Sequence, residues 1–187
     1  MDYMSLEEIA QRSHNGKLKT TDSETRYGGI RMFEMSLRVS IRKRIELLKA
    51  RFPQEHLLVA DIGGSHGDLT GEISKIGGVC PFVIDVYPCF PANSILSRNR
   101  FIRADAEKMP EIPDGAFHYI VSFNVLTYTD VSLSVPEIYR ILRKGGIADL
   151  DWEFPDKGQL ARLSKDQIAR HLTITPMMGT CLIHFEK

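Results

Sequence analysis

The segment Leu57–Asp68, LLVADIGGSHGD, constrains the fold of this chain more than any other. Four apolar residues, Leu57-Leu58-Val59-Ala60, run into an acid, Asp61, and the glycine-rich loop Ile62-Gly63-Gly64-Ser65-His66-Gly67 follows at once. A short apolar run bounded by turn residues reads as a buried parallel strand. Glycines let the backbone turn sharply and approach a ligand that a side chain would exclude. Residues Asp68 to Ile76 can then start a helix whose N-terminus faces that ligand. Strand, loop and helix in this order make a site for a nucleotide-type cofactor.

The rest of the chain repeats the alternation. Strands are expected at Leu57–Asp61, Pro81–Val86, Phe101–Arg103, Tyr119–Phe123 and Ile147–Trp152. Helices are expected at Asp68–Ile76, Ser134–Arg143 (capped by Gly145-Gly146) and Lys165–His171, with a short one at Ala92–Ser97 between Pro91 and the third strand. Leu172–Met177 and Thr180–Phe185, around Met178-Gly179, read as a closing β-hairpin. The pattern predicts a doubly wound, mostly parallel α/β sheet of Rossmann-like form with that hairpin at its C-terminal end.

Ahead of the first strand, residues 1–52 read as an N-terminal helical extension that could close over the site, and residues 53–187 as the cofactor-binding domain. A short helix is expected near Ser5 to Arg12. Ile30, Phe33, Leu37, Ile41, Ile45 and Leu48 recur every three or four positions, which predicts one long amphipathic helix from Ile30 to Arg51. Its other face carries Arg38, Arg42, Lys43, Arg44, Lys49 and Arg51, read as a solvated face.

Charge narrows the partners. Lys plus Arg number 24 and Asp plus Glu number 24, so no global field draws nucleic acid or anionic membrane. The opening MDYMSLEEIA has no basic-then-apolar leader pattern, and no apolar run reaches the roughly 18 residues that cross a bilayer. A cytoplasmic protein is the expectation. Cys80, Cys89 and Cys181 form no CxxC pair and read as reduced packing residues, with no metal site expected.

The loop itself tells cofactors apart. GxGxxG is not met, because Ser65 stands two positions after Gly63 and Gly67 four after it; GxxxxGK[ST] is absent. What Asp61, Gly63, Ser65 and Gly67 resemble is motif I of the class I S-adenosylmethionine-dependent methyltransferases, with Ser65 at the middle glycine position. Further segments follow in the family's order. Phe82-Val83-Ile84-Asp85-Val86 puts an acid at the end of the second strand. Asp105-Ala106-Glu107 resembles the acid-alanine-glutamate stretch after the third. Pro113 to Val121 resembles the entry to the fourth, with His118 where an aspartate is usual. Glu137 to Gly146 resembles the helix and double-glycine turn before the fifth.

The resemblance spans about Leu57 to Trp152 and implies an S-adenosyl-L-methionine cofactor. It implies contacts from Asp61, Gly63, Gly64, Ser65, Gly67, Asp85, Val86, Asp105, Ala106 and Phe123. Asp61 would lie beneath the methionine end, Asp85 would accept from the ribose hydroxyls, and Asp105 would read the adenine. Each acid could instead be a plain turn or capping residue. Tyr27, Arg26 and Arg31 could hold or stack on the cofactor, or simply begin a surface helix.

The acceptor side is less legible. Asn124, Tyr128 and Glu153 follow the fourth and fifth strands and are the candidate catalytic residues; Asp151 and Trp152 open at the same mouth. Asn124 cannot serve as a base, whereas Tyr128, Glu153 and His66 can. Asn124 is followed by Val125-Leu126 rather than Pro-Pro-aromatic, which argues against adenine or glutamine N-methylation. Asp149 sits inside the fifth strand, where a charge needs a partner that the sequence does not name. The expected activity is methyl transfer to an acceptor that is a small molecule or a protein, with a homodimer or partner subunit left open. The alternatives are a non-catalytic methyltransferase-like subunit, or another group transfer on the same scaffold.

Overall fold

A computed structural model describes residues 29–87, 100–153, 157–163, 170–177 and 180–187. The helices expected at Ser5–Arg12 and Ala92–Ser97, the Met178-Gly179 turn, Cys89, Arg26 and Tyr27 lie outside the described residues, as does most of Lys165–His171.

Among these residues seven strands form one sheet: β1 (Leu57–Ile62), β2 (Val79–Asp85), β3 (Phe101–Arg103), β4 (Phe117–Ser122), β5 (Leu142–Glu153), β6 (Leu172–Met177) and β7 (Thr180–Glu186). Their order is β3-β2-β1-β4-β5-β7-β6. The first five are parallel and β7 runs antiparallel between β5 and β6. This is the doubly wound, mostly parallel sheet with a C-terminal hairpin that the alternation predicts. β1 and β4 are buried along nearly their whole length, as parallel strands covered on both faces must be.

Among the described residues five helices cover the sheet: α1 (Gly29–Leu37), α2 (Ile41–Arg51), α3 (Asp68–Ile73), α4 (Val131–Ile141) and α5 (Lys157–Leu163). One apolar cluster joins Ala60, Ile62, Ile120, Ala148 and Leu150 to Val135, Ile138 and Ile141 of α4. A second joins Val59, Tyr119, Val121 and Ile147 to Ile30 and Phe33 of α1 and Ile41, Ile45 and Leu48 of α2.

Two expectations are corrected. The single helix from Ile30 to Arg51 is two helices. Arg38 takes a left-handed conformation (φ 53°), and Ser40 restarts the chain as an N-cap, its hydroxyl accepting from Lys43 N–H at 3.4 Å. Glu34 Oε1 fastens the corner, accepting from Ser40 Oγ at 3.1 Å. The apolar period survives the break because both helices bury the same stripe.

The Gly145-Gly146 pair does not cap the helix before β5. α4 ends at Ile141, and the glycines lie inside β5, which starts at Leu142. There the register with β4 shifts, Phe117 facing Leu142 but Tyr119 facing Ile147. The displaced Gly145 N–H donates instead to the Lys187 carbonyl at 2.5 Å. A bulge next to the last strand has won over a helix cap.

The partner of Asp149 is now visible. Its carboxylate is wholly buried and takes the Arg44 guanidinium in a fork (Nε–Oδ2 3.1 Å, Nη2–Oδ1 3.3 Å). Tyr119 Oη donates to Oδ2 at 3.0 Å, and His184 Nδ1 lies 2.7 Å from Oδ1. Burial, with the neighbouring Asp149 charge, raises the Tyr119 phenol well above its ordinary value. This network ties α2 to β4, β5 and β7. Arg44→Ala leaves the carboxylate buried without its cation, and is expected to lower unfolding stability by about 3–5 kcal/mol, read as a shift in urea midpoint at constant m-value.

Candidate functional site

In an open parallel sheet, ligands bind beyond the carboxyl ends of the strands where strand order reverses. Here that point lies at β1, with β2 on one side and β4 on the other. Asp61, Gly63 and Gly64 stand there. Asp61 is 4% exposed and accepts from Thr70 Oγ1 at 2.7 Å. Burial pushes its carboxyl up to about 6, against the Thr70 hydrogen bond, which pulls it down. Gly64 lies directly on this carboxyl: a Cβ there would fall 2.6 Å from Asp61 Oδ2. Gly63 (φ 77°) donates its N–H to the Ile84 carbonyl at 2.7 Å and lies against Val125, the side chain a Cβ would strike. The loop therefore touches the chain that leaves β4.

Ser65 takes the left-handed region at φ 45°, where a glycine would sit without penalty. Its N–H donates to Asp85 Oδ2 at 2.9 Å, and Tyr87 N–H donates to Asp85 Oδ1 at 2.8 Å. Asp85 thus holds the glycine loop against the end of β2, one N–H on each oxygen. Each carboxylate oxygen can take a second donor. Val86 is half-buried between Asp85 and Tyr87. Ser65 Oγ lies 3.1 Å from Nδ1 of His66, whose side chain is exposed. Gly67 precedes α3, whose residue Gly71 donates back to the Gly67 carbonyl at 2.7 Å.

Beyond β3, the Ala104 N–H reaches the Asp85 carbonyl at 3.2 Å, bringing Asp105 and Ala106 to the same edge. Asp105 is exposed and its Oδ1 accepts from Glu107 N–H at 2.9 Å; Ala106 is buried. The segment is held from behind. Glu107 Oε1 accepts from Asp130 N–H at 2.6 Å, and Glu137 Oε2 from Met109 N–H at 2.9 Å. Arg140 spans Glu137 and the Met109 and Ile112 carbonyls, and its hydrogen bond holds the Glu137 carboxyl below the usual carboxylate range.

At the other mouth, half-buried Phe123 packs on Phe33 of α1 with ring centroids 6.0 Å apart. Asn124 is held at φ 58°, and its N–H donates to Asp151 Oδ1. Thr127 Oγ1 bridges the Glu153 N–H and carbonyl at 3.2 and 3.3 Å. The segment leaving β4 is thus fastened to the end of β5 at two points, Asn124 to Asp151 and Thr127 to Glu153. Tyr128, in a 3-10 turn over Leu126–Tyr128, is 52% exposed and has no hydrogen bond to them among the described residues.

Asp151 is the residue the sequence reading undervalued. It is 2% exposed, and burial, with Glu153 nearby, pushes its carboxyl up to about 7. The signal was present: two acids, Asp149 and Asp151, alternate in an otherwise apolar strand, so each needed an explanation. His118, by contrast, faces away from the site. Its Nδ1 accepts from Leu58 N–H at 3.0 Å, its Nε2 lies 3.2 Å from Glu55 Oε2, and burial lowers its pKa.

Comparison with known proteins agrees with this geometry. The family profile described as "Methyltransferase domain" matches residues 60–148. The chain is similar to the class I S-adenosylmethionine-dependent methyltransferases. It is 33% identical over 132 residues to the ubiquinone/menaquinone biosynthesis C-methyltransferase of Vibrio campbellii, covering 65% of this chain and 50% of that one. It therefore spans about half the length of the curated relatives it matches. Among solved structures, magnesium protoporphyrin IX methyltransferase from Synechocystis with bound S-adenosylmethionine overlays with TM-score 0.59 at 12% identity, covering 100% of both chains. The 1,6-didemethyltoxoflavin-N1-methyltransferase of Burkholderia thailandensis overlays with TM-score 0.56 at 17% identity, covering 100% of this chain and 92% of that one. At these identities the overlays establish the fold. No helix among the described residues is long and apolar enough to cross a membrane.

Two outcomes follow from the site as built. Ser65→Gly relieves a left-handed serine and is expected to stabilise the fold by about 0.5–1 kcal/mol, net of glycine's larger chain entropy, measured by denaturant unfolding. The second concerns pH. A carboxyl whose folded pKa is raised binds more protons in the native state than in the unfolded chain, so its stability contribution is full below the unfolded value and falls as pH rises through the folded one. For Asp151 that window runs from 3.8 to about 7. Wild type should therefore lose more stability between pH 5 and pH 8 than Asp151→Asn, compared by urea midpoints of the two proteins.

Proposed function

We propose that this domain binds S-adenosyl-L-methionine on the Asp61–Asp85 loop and transfers its methyl group to an acceptor entering beside Asn124 and Glu153. The observation that supports this reading is the loop lock at the sheet's switch point. Asp61 is buried under Gly64, and Asp85 is tethered by Ser65 and Tyr87 with acceptor capacity to spare.

The residues fit the cofactor. Gly63 and Gly64 offer backbone where a Cβ would intrude. Asp85 would accept from both ribose hydroxyls, through hydrogen bonds its charge strengthens. Asp61 would lie under the methionine end, Asp105 with Ala106 would read the adenine, and Val86 and Phe123 would supply apolar contact. The cofactor, when bound, supplies an activated methyl group; the protein supplies position and a desolvated setting. In-line displacement asks for an acceptor atom about 3–3.5 Å from the methyl carbon, so holding the acceptor contributes much of the rate.

The curated relatives are ubiquinone/menaquinone biosynthesis C-methyltransferases, so a small-molecule carbon acceptor is the first to assay, ahead of a protein acceptor. The reading places the domain in the cytoplasm. α1, packed on Phe123 through Phe33, would be part of a lid contributed by residues 1–52.

S-adenosylhomocysteine at a hundredfold excess over its Kd should stabilise the native state by about 2.7 kcal/mol, seen as a raised melting temperature, with NADH and ATP doing much less. Asp85→Ala should keep its fold and weaken S-adenosylhomocysteine binding by at least tenfold in calorimetry, since removing charge-assisted bonds of about 1.5–3 kcal/mol each exceeds one decade. Wild-type affinity in that variant would refute the ribose assignment, and no heat or thermal shift with wild type would refute cofactor binding.

A further inference from the structure

We propose that Asp151, together with the side-chain amide of Asn124, faces the group being transferred and receives the proton of the methyl acceptor. The inference rests on the methyltransferase reading and names the part of the site that reading leaves unassigned.

Two carboxylates sit two residues apart on β5, both almost completely buried, with opposite surroundings. Asp149 is matched by Arg44, Tyr119 and His184. Asp151 has no cation: its one hydrogen bond among the described residues is to Oδ1, from the backbone N–H of Asn124. Oδ2 has no donor there. The charged group that bears on it among the described residues is Glu153 on its own strand, which is also negative. A buried acid kept for stability alone would be paired.

Asn124 supplies an independent observation. It is a non-glycine residue held in the left-handed region, and its Oδ1 is buried with no hydrogen-bond partner. Strain and an orphaned acceptor together raise its cost in the folded chain, and such features concentrate where a ligand completes the structure. Two hydrogen-bond acceptors, Asp151 Oδ2 and Asn124 Oδ1, thus await donors at the ends of adjacent strands.

Their place relative to the cofactor follows from contacts. Gly63 touches Val125, and Asn124, the residue before it, touches Asp151. A ligand lying on the glycine loop therefore meets Asn124 and Asp151 on its β4–β5 side. The acceptor class is one bearing an ionisable O–H or N–H at the reacting atom or conjugated to it. In the transfer the acceptor's proton passes to the Asp151 carboxylate. The freed electron pair forms the new bond to the methyl carbon, and the carbon–sulfur pair stays on sulfur, leaving a neutral thioether. A carboxyl poised near neutrality suits that exchange.

The test needs no knowledge of the acceptor. Sinefungin carries an amine-bearing carbon in place of the sulfur and its methyl, so its ammonium samples what faces the methyl. Calorimetry at pH 8 compares it with S-adenosylhomocysteine. Wild type should bind sinefungin at least tenfold more tightly than S-adenosylhomocysteine. In Asp151→Asn that preference should shrink to threefold or less, with S-adenosylhomocysteine affinity changed by less than threefold. A preference absent from wild type, or undiminished in the variant, overturns the role given to Asp151. Failure of wild type to bind either ligand overturns the methyltransferase reading itself.

Discussion

The buried carboxyl of Asp61, near the end of the central strand β1, is the constraint on which the glycine-loop end of the molecule depends. An acid in that position must be satisfied without a counter-ion, and the Thr70 hydroxyl one turn into α3 does it. Gly64 must then be glycine, because the loop passes over the carboxyl too closely for a Cβ. With the strand, the loop and α3 drawn onto one side chain, Ser65 is brought under Asp85, and the ends of β1 and β2 close into a single rim. The helices ahead of β1 attach to the same unit, since Glu72 Oε2 of α3 accepts from Ile30 N–H of α1 at 2.9 Å.

β5 shows how one residue type serves two ends. Asp149 is enclosed by a cation, a phenol and an imidazole, and its charge is spent joining α2 to three strands. Asp151, on the same face of the strand but nearer its carboxyl end, meets only a backbone amide among the described residues, and burial pushes its carboxyl up to about 7. Perturbed carboxyls without structural partners, in a cleft, are where chemistry is expected; paired ones beneath the surface are architecture.

Ser65 is the point at which the glycine loop departs from the methyltransferase motif it resembles, and the structure accommodates it. The residue accepts the left-handed conformation that glycine would take freely, and the hydrogen bond from its N–H to Asp85 holds it there. A small side chain next to exposed His66 does not fill the cradle over Asp61, so the loop keeps its shape at the expense of some local strain.

What the sequence determined by itself is the fold and the strand, glycine loop and helix at its centre. Apolar runs of strand length, glycines directly after one of them and an acid at the end of the next are local patterns, and local patterns survive folding unchanged: β1 to β4 and the hairpin stand where the residues foretold, with Asp61 near the end of β1 and Asp85 at the end of β2. Tertiary structure decided whatever depends on which segments meet. The break at Arg38 arises because Glu34 and Ser40 find each other across a corner. Gly145 enters a bulge because its N–H reaches the last residue of the chain. The sequence set Asp149 inside the fifth strand and Asp151 at its mouth, and named a partner for neither. Arg44 lies 105 residues from Asp149 and reaches it through the sheet, while no cation among the described residues reaches Asp151. Burial and partners are properties of the folded surface, and they alone separate a structural carboxylate from a chemical one.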